Sequence, residues 1–459
     1  MSEAKGRTGG GTEQNWCRAV PGGTGVAVLA LLISKSPDIA RLQIALHKLQ
    51  NSHPILKSRL HSHATTNTFS FVTYPTPFVK IQYHNLSKSS KLVENNPVSP
   101  FHLILEHELN QNTWQNPGRT SQTIVADMFF ASVYELPNAA WAVVLRLHVS
   151  ACDRTTAVSL LKELRVLITD EKDDSGGTTK EQIWNKGEVT LAIEDLVPQA
   201  KYKKTMWARG LDMLSYSVNS LRLTNLKFHD TKNPRFSQVV RLQLSKNDTQ
   251  RVLAGCKTSE IKLCGALTAA GLMAAHSSKR SSKKYGIVTF TDCRSSLEPP
   301  LSVHNFGFYH SAILNTHVMK GGESLWDLAK RTYGAFANSK NCDKHFSDMA
   351  DLNFLMCKAI ENPSLTSSSS LRTSIMAVFE DTVMDDGGEE QREVGIEDYM
   401  GCASVHGVGP SIAIFDTVRD GCLDCVCVYP TPLHSREQMQ ELVDKMKAIL
   451  TEAGKFYQK

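Results

Sequence analysis

The segment Leu145-Arg146-Leu147-His148-Val149-Ser150-Ala151-Cys152-Asp153-Arg154 constrains the fold more than any other. An apolar run with strand character ends in a histidine, and an aspartate follows five residues later. From Thr155 the period changes. Ala157, Val158, Leu160, Leu161, Leu164 and Ile168 recur near helical spacing, which predicts an amphipathic helix capped by Asp153, Thr155 or Thr156. A strand, a polar loop and such a helix in succession require a sheet with a helix packed on it.

The same alternation runs along the rest of the chain. Val26–Ile33, the longest apolar run, has eight residues. A membrane-spanning helix needs roughly 20, so the run reads as a buried strand. Ile39, Leu42, Ile44, Ala45, Leu46 and Leu49 predict a helix that stops at His53-Pro54, because proline holds its predecessor extended. Ile55–Leu60 follows as a strand or strand entry. Met128–Leu136 and Trp141–His148 predict a hairpin around Pro137-Asn138-Ala139-Ala140. Lys172–Glu181 reads as an exposed loop and Trp207–Leu223 as a helix bridging two halves. Beyond it, strands are expected at Pro234–Leu244, Ile287–Thr291, Ile375–Phe379, Ser411–Phe415 and Cys425–Tyr429. Helices are expected at Leu263–Ala275 and Ser435–Leu450, and a mobile acidic loop at Asp381–Glu393.

A chain of 459 residues exceeds what one core usually fills. The expected organisation is an unstructured N-terminus (1–15), an N-terminal lobe (16–205), a connecting helix or crossover (206–230) and a C-terminal lobe (231–459). A net charge of +5 gives no reason to invoke nucleic acid, and the polar N-terminus lacks a signal-peptide core. Eleven scattered cysteines fit reduced thiols in a cytoplasmic protein. Cys422-Leu-Asp-Cys425-Val-Cys427 lacks a second ligand pair for zinc, so no metal is expected, and Cys425 and Cys427 read as one face of a strand. Pro21-Gly22-Gly23-Thr24-Gly25 lacks the lysine of a phosphate-binding loop and reads as a turn into the first strand.

Four segments, in order, resemble the superfamily of condensation domains, BAHD acyltransferases and chloramphenicol acetyltransferase. They are Leu42-x-x-Ala45-Leu46-x-x-Leu49-x-x-x-His53-Pro54-x-Leu56-x-Ser58, Trp141–Leu161, Val288-Thr-Phe-Thr-Asp292-Cys293-Arg294, and Asn305-Phe-Gly-Phe-Tyr309-His310-Ser-Ala-Ile-Leu. The chain looks most like plant condensation-domain-containing proteins. The resemblance implies α/β architecture with mixed sheets: two chloramphenicol-acetyltransferase-like lobes meeting at a tunnel. Acyl donor and acceptor would enter that tunnel from opposite ends. It also implies an ion pair between Asp153 and Arg294 that holds the motif loop, a geometry suited to a carboxylate and a guanidinium. Val149, Cys152 and Asn305 are expected to line the tunnel.

In the family signatures, His-His-x-x-x-Asp-Gly and His-x-x-x-Asp, the general base lies four residues before the aspartate. Here that position is Val149, which carries no proton. Acyl transfer needs a base for the attacking hydroxyl or amine and donors for the oxyanion. His148 would serve only if a one-residue bulge turned it inward. His304 and His310 flank the glycine-aromatic turn, and a tunnel-facing His310 is the alternative base. Cys152 is an acyl-accepting nucleophile only if a neighbour lowers its pKa. Lys279, Arg280, Lys283 and Lys284 either meet a CoA phosphate or form a solvated loop. Ser404-Val-His-Gly-Val-Gly-Pro410 stands where BAHD proteins carry Asp-Phe-Gly-Trp-Gly, and does not match it.

The expected function is acyl transfer to a small-molecule hydroxyl or amine by a monomer. Acyl-CoA is the expected co-substrate, a carrier-protein thioester the second choice, and no cofactor is permanently bound. The alternative is a non-catalytic protein of the same fold that binds a ligand or a protein partner.

Overall fold

The computed structural model describes residues 5–63, 65–94, 96–115, 123–169, 189–202, 223–276, 282–385, 387 and 395–455. The N-terminal half supplies strands β1 (Thr24–Ile33), β2 (Phe129–Leu136) and β3 (Ala140–His148). The C-terminal half supplies β4 (Phe236–Gln243), β5 (Lys283–Asp292), β6 (His310–Met319), β7 (Arg372–Phe379), β8 (Ile396–Val405), β9 (Gly409–Arg419) and β10 (Cys422–Thr431).

Among the described residues the strands form three sheets. One has the order β8-β1-β3-β2 and ends on the short strand Ile81–His84. A second has the order β6-β5-β7-β9-β10-β4, with parallel pairs at β5·β7 and β7·β9 and antiparallel pairs elsewhere along it. A small third sheet joins Lys5–Thr8, Thr68–Thr73, Ser58–His63 and Thr123–Asp127. Strand β8 crosses over: it comes late in the chain but pairs with β1. The architecture is mixed α/β, as the alternation of apolar periods predicts.

The N-terminus differs from expectation. Residues 1–15 read as unstructured because they are polar and glycine-rich. Instead Lys5–Thr8 pairs with Thr68–Thr73, and helix α1 (Gly11–Ala19) buries Thr12, Glu13, Gln14 and Asn15. Polarity there is met inside the protein. Glu13 bridges to Arg7 at 2.7 Å, and Gln14 exchanges hydrogen bonds with the backbone of Phe69 at 2.8 and 2.9 Å.

Helix α2 (Ile39–Ser52) starts where Asp38 accepts the Arg41 N–H at 3.0 Å and ends before Pro54. Helix α3 (Arg154–Thr169) follows the motif loop. Strand β1 is apolar from Val26 to Ile33 because both its faces are buried, and successive side chains point to opposite sides. Ala27, Leu29, Leu31 and Ile33 pack with α2 and α3, whereas Val26, Val28 and Ala30 join a core that includes Val239, Ala377 and Val428 of the second sheet. The C-terminal half also carries helices α4 (Leu263–Ala275), α5 (Met349–Glu361) and α6 (Arg436–Gly454), besides the helices Lys246–Thr258 and Leu325–Asn341. Cys425 and Cys427 sit in the core that α4 and α6 cover.

The hairpin β2–β3 turns at Pro137–Ala139, and every strand expected in the second half is present: β4 falls within its expected span, and the other four run a few residues longer. Ile55–Leu60 divides into a short turn, Pro54–Lys57, and the strand Ser58–His63. Lys172–Glu181 and residues 207–222 lie outside the described residues, as do 386 and 388–393 of the acidic loop. Within that loop Val383–Asp385 is a short strand beside β9. Among the described residues no helix is long and apolar enough to cross a membrane.

Candidate active site

Three segments distant in sequence converge on Asp153. It follows the short turn Val149–Ala151 that ends β3, and it caps α3: its Oδ1 accepts the Thr156 N–H at 2.8 Å. Arg294, just beyond β5, reaches it with both guanidinium nitrogens, Nη2 to Oδ1 at 3.0 Å and Nη1 to Oδ2 at 2.9 Å. The turn Asn305–Tyr309 wraps the other side. The Tyr309 N–H donates to Oδ2 at 2.8 Å, and the Asp153 N–H donates to the Gly307 carbonyl at 3.0 Å. Gly307 has φ of +152°, and a Cβ there would come within 2.8 Å of the Tyr309 ring, so the turn needs glycine.

Asp153 is buried, and burial alone would push its carboxyl upward. Arg294 and then His310 outweigh burial and hold it well below the usual carboxylate range. The structure thus brings together Asp153 and Arg294 as a buried, fork-like pair. Arg294 also contacts Asp292 at 3.1 Å, and its guanidinium lies 4.9 Å from the Tyr309 ring centre.

A cavity of about 490 Å³ adjoins this cluster, a size typical of small-molecule sites. Its walls come from both halves of the chain and are mainly apolar, with Val28, Leu29 and Leu161 facing Phe290, Phe379 and Phe415. Among the described residues that line it, His310 is the one imidazole. Its Nδ1 lies 3.1 Å from Asp153 Oδ2 but off the hydrogen-bond axis, so the contact is electrostatic and not a formed bond. The ring is held by Phe379, edge to face at 6.0 Å. His304 does not line the cavity: its Nδ1 meets Glu163 Oε1 at 2.9 Å. Glu163 also takes His53 Nε2 at 2.6 Å, and His53 stacks on Phe306 at 3.6 Å.

His148 is not at this cavity, which corrects its place as first candidate for the base. Strand geometry persists to the end of β3, so no bulge turns the ring inward, and His148 is fully buried against Trp114 at 5.1 Å. Its Nδ1 lies 2.7 Å from the Ser150 hydroxyl oxygen and 3.2 Å from the Ser150 N–H, and its buried Nε2 has no hydrogen-bond partner. Burial lowers its pKa to about 3. Val149 does line the cavity, pressed against Gly25, where an added Cβ would lie 2.6 Å from Val149 Cγ1.

Cys152 also lines the cavity, but burial and then Asp153 push its thiol far upward, and its sulfur contacts the Asp153 carbonyl at 3.7 Å. That removes the activation a nucleophile needs. Asn305 does not line the cavity, because its side chain accepts from Ser302 N at 2.9 Å and its carbonyl accepts from Arg294. Lys279 and Arg280 lie outside the described residues. Lys283 and Lys284 open β5, nine residues before Asp292. At strand rise that is roughly 30 Å from the cluster, and neither lines the cavity.

One cavity residue escaped the sequence reading. Arg154 directly follows Asp153 and lines the cavity, with Nη2 at 3.0 Å from Asp416 Oδ1 and its guanidinium 4.5 Å over the Phe379 ring. The available signal was its position, since the similar signature has glycine after the aspartate.

No protein-family model matches the chain, and no curated protein does. Solved structures share its fold. Polyketide synthase associated protein 5 from Mycobacterium tuberculosis matches with a TM-score of 0.67 at 16% identity, covering 99% of this chain and 100% of its own. The TRI3 trichothecene 15-O-acetyltransferase from Fusarium sporotrichioides matches at 0.70 and 11% identity over 98% and 95%. The EpoB NRPS cyclization-docking bidomain from Sorangium cellulosum matches at 0.66 and 13% over 98% and 85%. At these identities the likeness is one of fold, that of condensation-domain and chloramphenicol-acetyltransferase-like acyltransferases.

Proposed function

We propose that the protein transfers an acyl group from a CoA thioester to a hydroxyl or amine of a largely apolar small molecule, with His310 as general base. One observation carries this reading: His310 lines the cavity with Nδ1 beside the buried, ionised Asp153. The charge of the nearby carboxylate favours the proton on Nδ1 and leaves Nε2 as the acceptor, the arrangement that makes an imidazole a base. His310 takes the acceptor's proton as its oxygen or nitrogen attacks the thioester carbonyl. Collapse of the tetrahedral adduct breaks the C–S bond, and the imidazolium returns the proton to the leaving thiolate. Asp153 stays ionised throughout, stabilising the imidazolium and sharing its charge with Arg294. The acyltransferase-like fold supports the reaction class.

The assay is thiol release from acetyl-CoA with a panel of apolar alcohols and amines. Replacing His310 by Ala is expected to lower turnover by about 10²–10⁴, whereas His148→Gln leaves it near the parent rate. Full activity in the His310 variant would reject His310 as base. A carrier-protein thioester is the second donor to test. The remainder of the proposal is a cytoplasmic monomer that needs no bound cofactor.

Val149 at the usual base position favours a second reading, a protein of this fold that binds its ligand without turning it over. Saturable binding of apolar alcohols with no transfer from either donor supports that reading.

A further inference from the structure

We infer that the reacting molecule carries a straight aliphatic chain of about eight to twelve carbons, laid along β5 and β6 from His310 toward Leu223. The inference rests on the reading of this cavity as the acyl-transfer site and names the class of substrate that fits it. Successive residues of a strand point to opposite faces, so His310, Ala312 and Leu314 share one face of β6, and all three line the cavity. On β5, Phe290 is in register with Ala312 and Val288 with Leu314, and both line it too. Tyr285 and Ile287 point the other way, into the core that α4 and α6 cover. Strand β5 lies inside its sheet, between β6 and β7, yet Val288 and Phe290 are only half-buried, as are Ala312 and Leu314. Apolar surface left open in this way favours a ligand that covers it.

The shape of this floor selects the chain. Ala312 puts only a methyl group on it, and the Phe290 ring stacks at 5.5 Å on Phe379 of β7, which lies on the other side of β5 from β6. The trough so formed begins at the imidazole. It ends where Leu223 packs over Gly286, the residue in register with Thr316: a Cβ on Gly286 would lie 2.8 Å from Leu223 Cδ1. The Thr224 N–H fixes that end by donating to the Lys284 carbonyl at 2.7 Å. From His310 to Leu314 the strand rises roughly 14 Å, the length of about ten extended methylenes. Val288, Phe290, Ala312 and Leu314 offer no hydrogen bond, so a plain hydrocarbon suits the trough, and a polar chain would lose its hydration without return. Two molecules bring such a chain to His310: the acyl donor, through its fatty tail, and the acceptor, as a long-chain alcohol.

Calorimetric titration of the intact chain tests the inference without requiring turnover. Acyl-CoAs from acetyl to hexadecanoyl are compared with 1-alkanols from butanol to dodecanol. Affinity is expected to rise about threefold per methylene up to about ten carbons, then to level or fall. The series with the steeper rise assigns the chain to the donor or to the acceptor. Ala312→Phe places a ring two residues from His310 and is expected to cut the limit to about five carbons, while the shortest members bind as before. If that variant does not fold, Leu223→Ala decides, and the limit must then move out by about two carbons or more. Binding that ignores chain length in both series, or a limit that the deciding variant leaves in place, overturns the inference. If acyl transfer persists in that case, only the chain site falls. If the length limit holds in a protein that transfers no acyl group, the proposed reaction falls and the chain site stands.

Discussion

Replacing Asp153 by Asn tests the architecture of the site with little change in shape. Four donors converge on two carboxylate oxygens: Thr156 N and Arg294 Nη2 on Oδ1, Tyr309 N and Arg294 Nη1 on Oδ2. Asparagine keeps one oxygen and turns an NH₂ group toward donors, so two of the four lose their acceptor. It caps helices as well as aspartate does, so the loss is not one of capping. Arg294 is left buried with Asp292 as its remaining carboxylate, itself partly exposed. Breaking one side of a buried pair typically costs about 3–5 kcal/mol, and that is the expected loss here. Urea unfolding, followed by tryptophan fluorescence and by circular dichroism with coincident traces, measures it. Asp153→Asn combined with Arg294→Met removes both charges, and its cost should fall short of the summed single variants by about 1–3 kcal/mol. A single-variant loss below about 1 kcal/mol, or strict additivity, would refute the claim that this pair pins the motif loop.

The other predictions concern separate parts of the molecule. Glu380 receives Lys262 at 2.7 Å and Lys340 at 2.5 Å; burial alone would raise its pKa, but these partners lower it from 4.5 to about 2. A depressed carboxyl stabilises the fold above its unfolded pKa, so Glu380→Gln should destabilise at neutral pH, with the difference shrinking as pH falls from 4.5 toward about 2 in parallel melts. Gly25 has φ of +98° and touches Val149, so Gly25→Ala should destabilise through backbone strain of about 1–2 kcal/mol plus a steric clash. Adding Val149→Ala should relieve the 2.6 Å contact and leave the strain together with the 3.2 Å approaches of the residue 149 Cβ and of Val20, a difference that chemical denaturation resolves. Because burial holds His148 at a pKa of about 3, any limb near neutrality in the pH–rate profile should survive His148→Gln and vanish in His310→Gln. The reverse pattern would return the base to the motif histidine.

Much of the layout is legible in the sequence, because burial on one or both faces imposes a period that composition reveals. The β2–β3 hairpin, α2, α3 and α4 follow from that period together with Pro54, the Pro137 turn and the Asp153 cap. The N-terminus was illegible for the complementary reason. Glu13, Gln14 and Asn15 look solvent-bound, and only tertiary partners such as Arg7 and Phe69 explain their burial. The pairing of β8 with β1 is likewise hidden, since hydrogen bonding between strands hundreds of residues apart leaves no local trace.

At the site, the sequence determined that a histidine and an aspartate border a strand-to-helix loop and that valine holds the usual base position. His148 ends its strand buried against Trp114 and off the cavity. Which imidazole lines the cavity was decided by the fold. The turn Asn305–Tyr309 wraps Asp153 and carries His310 beside the carboxylate, although 156 residues separate Tyr309 from Asp153. Side-chain chemistry and period are local properties that a sequence records. The charge environment that makes a particular group a base or a donor is set by its neighbours in space, and those exist only once the chain has folded.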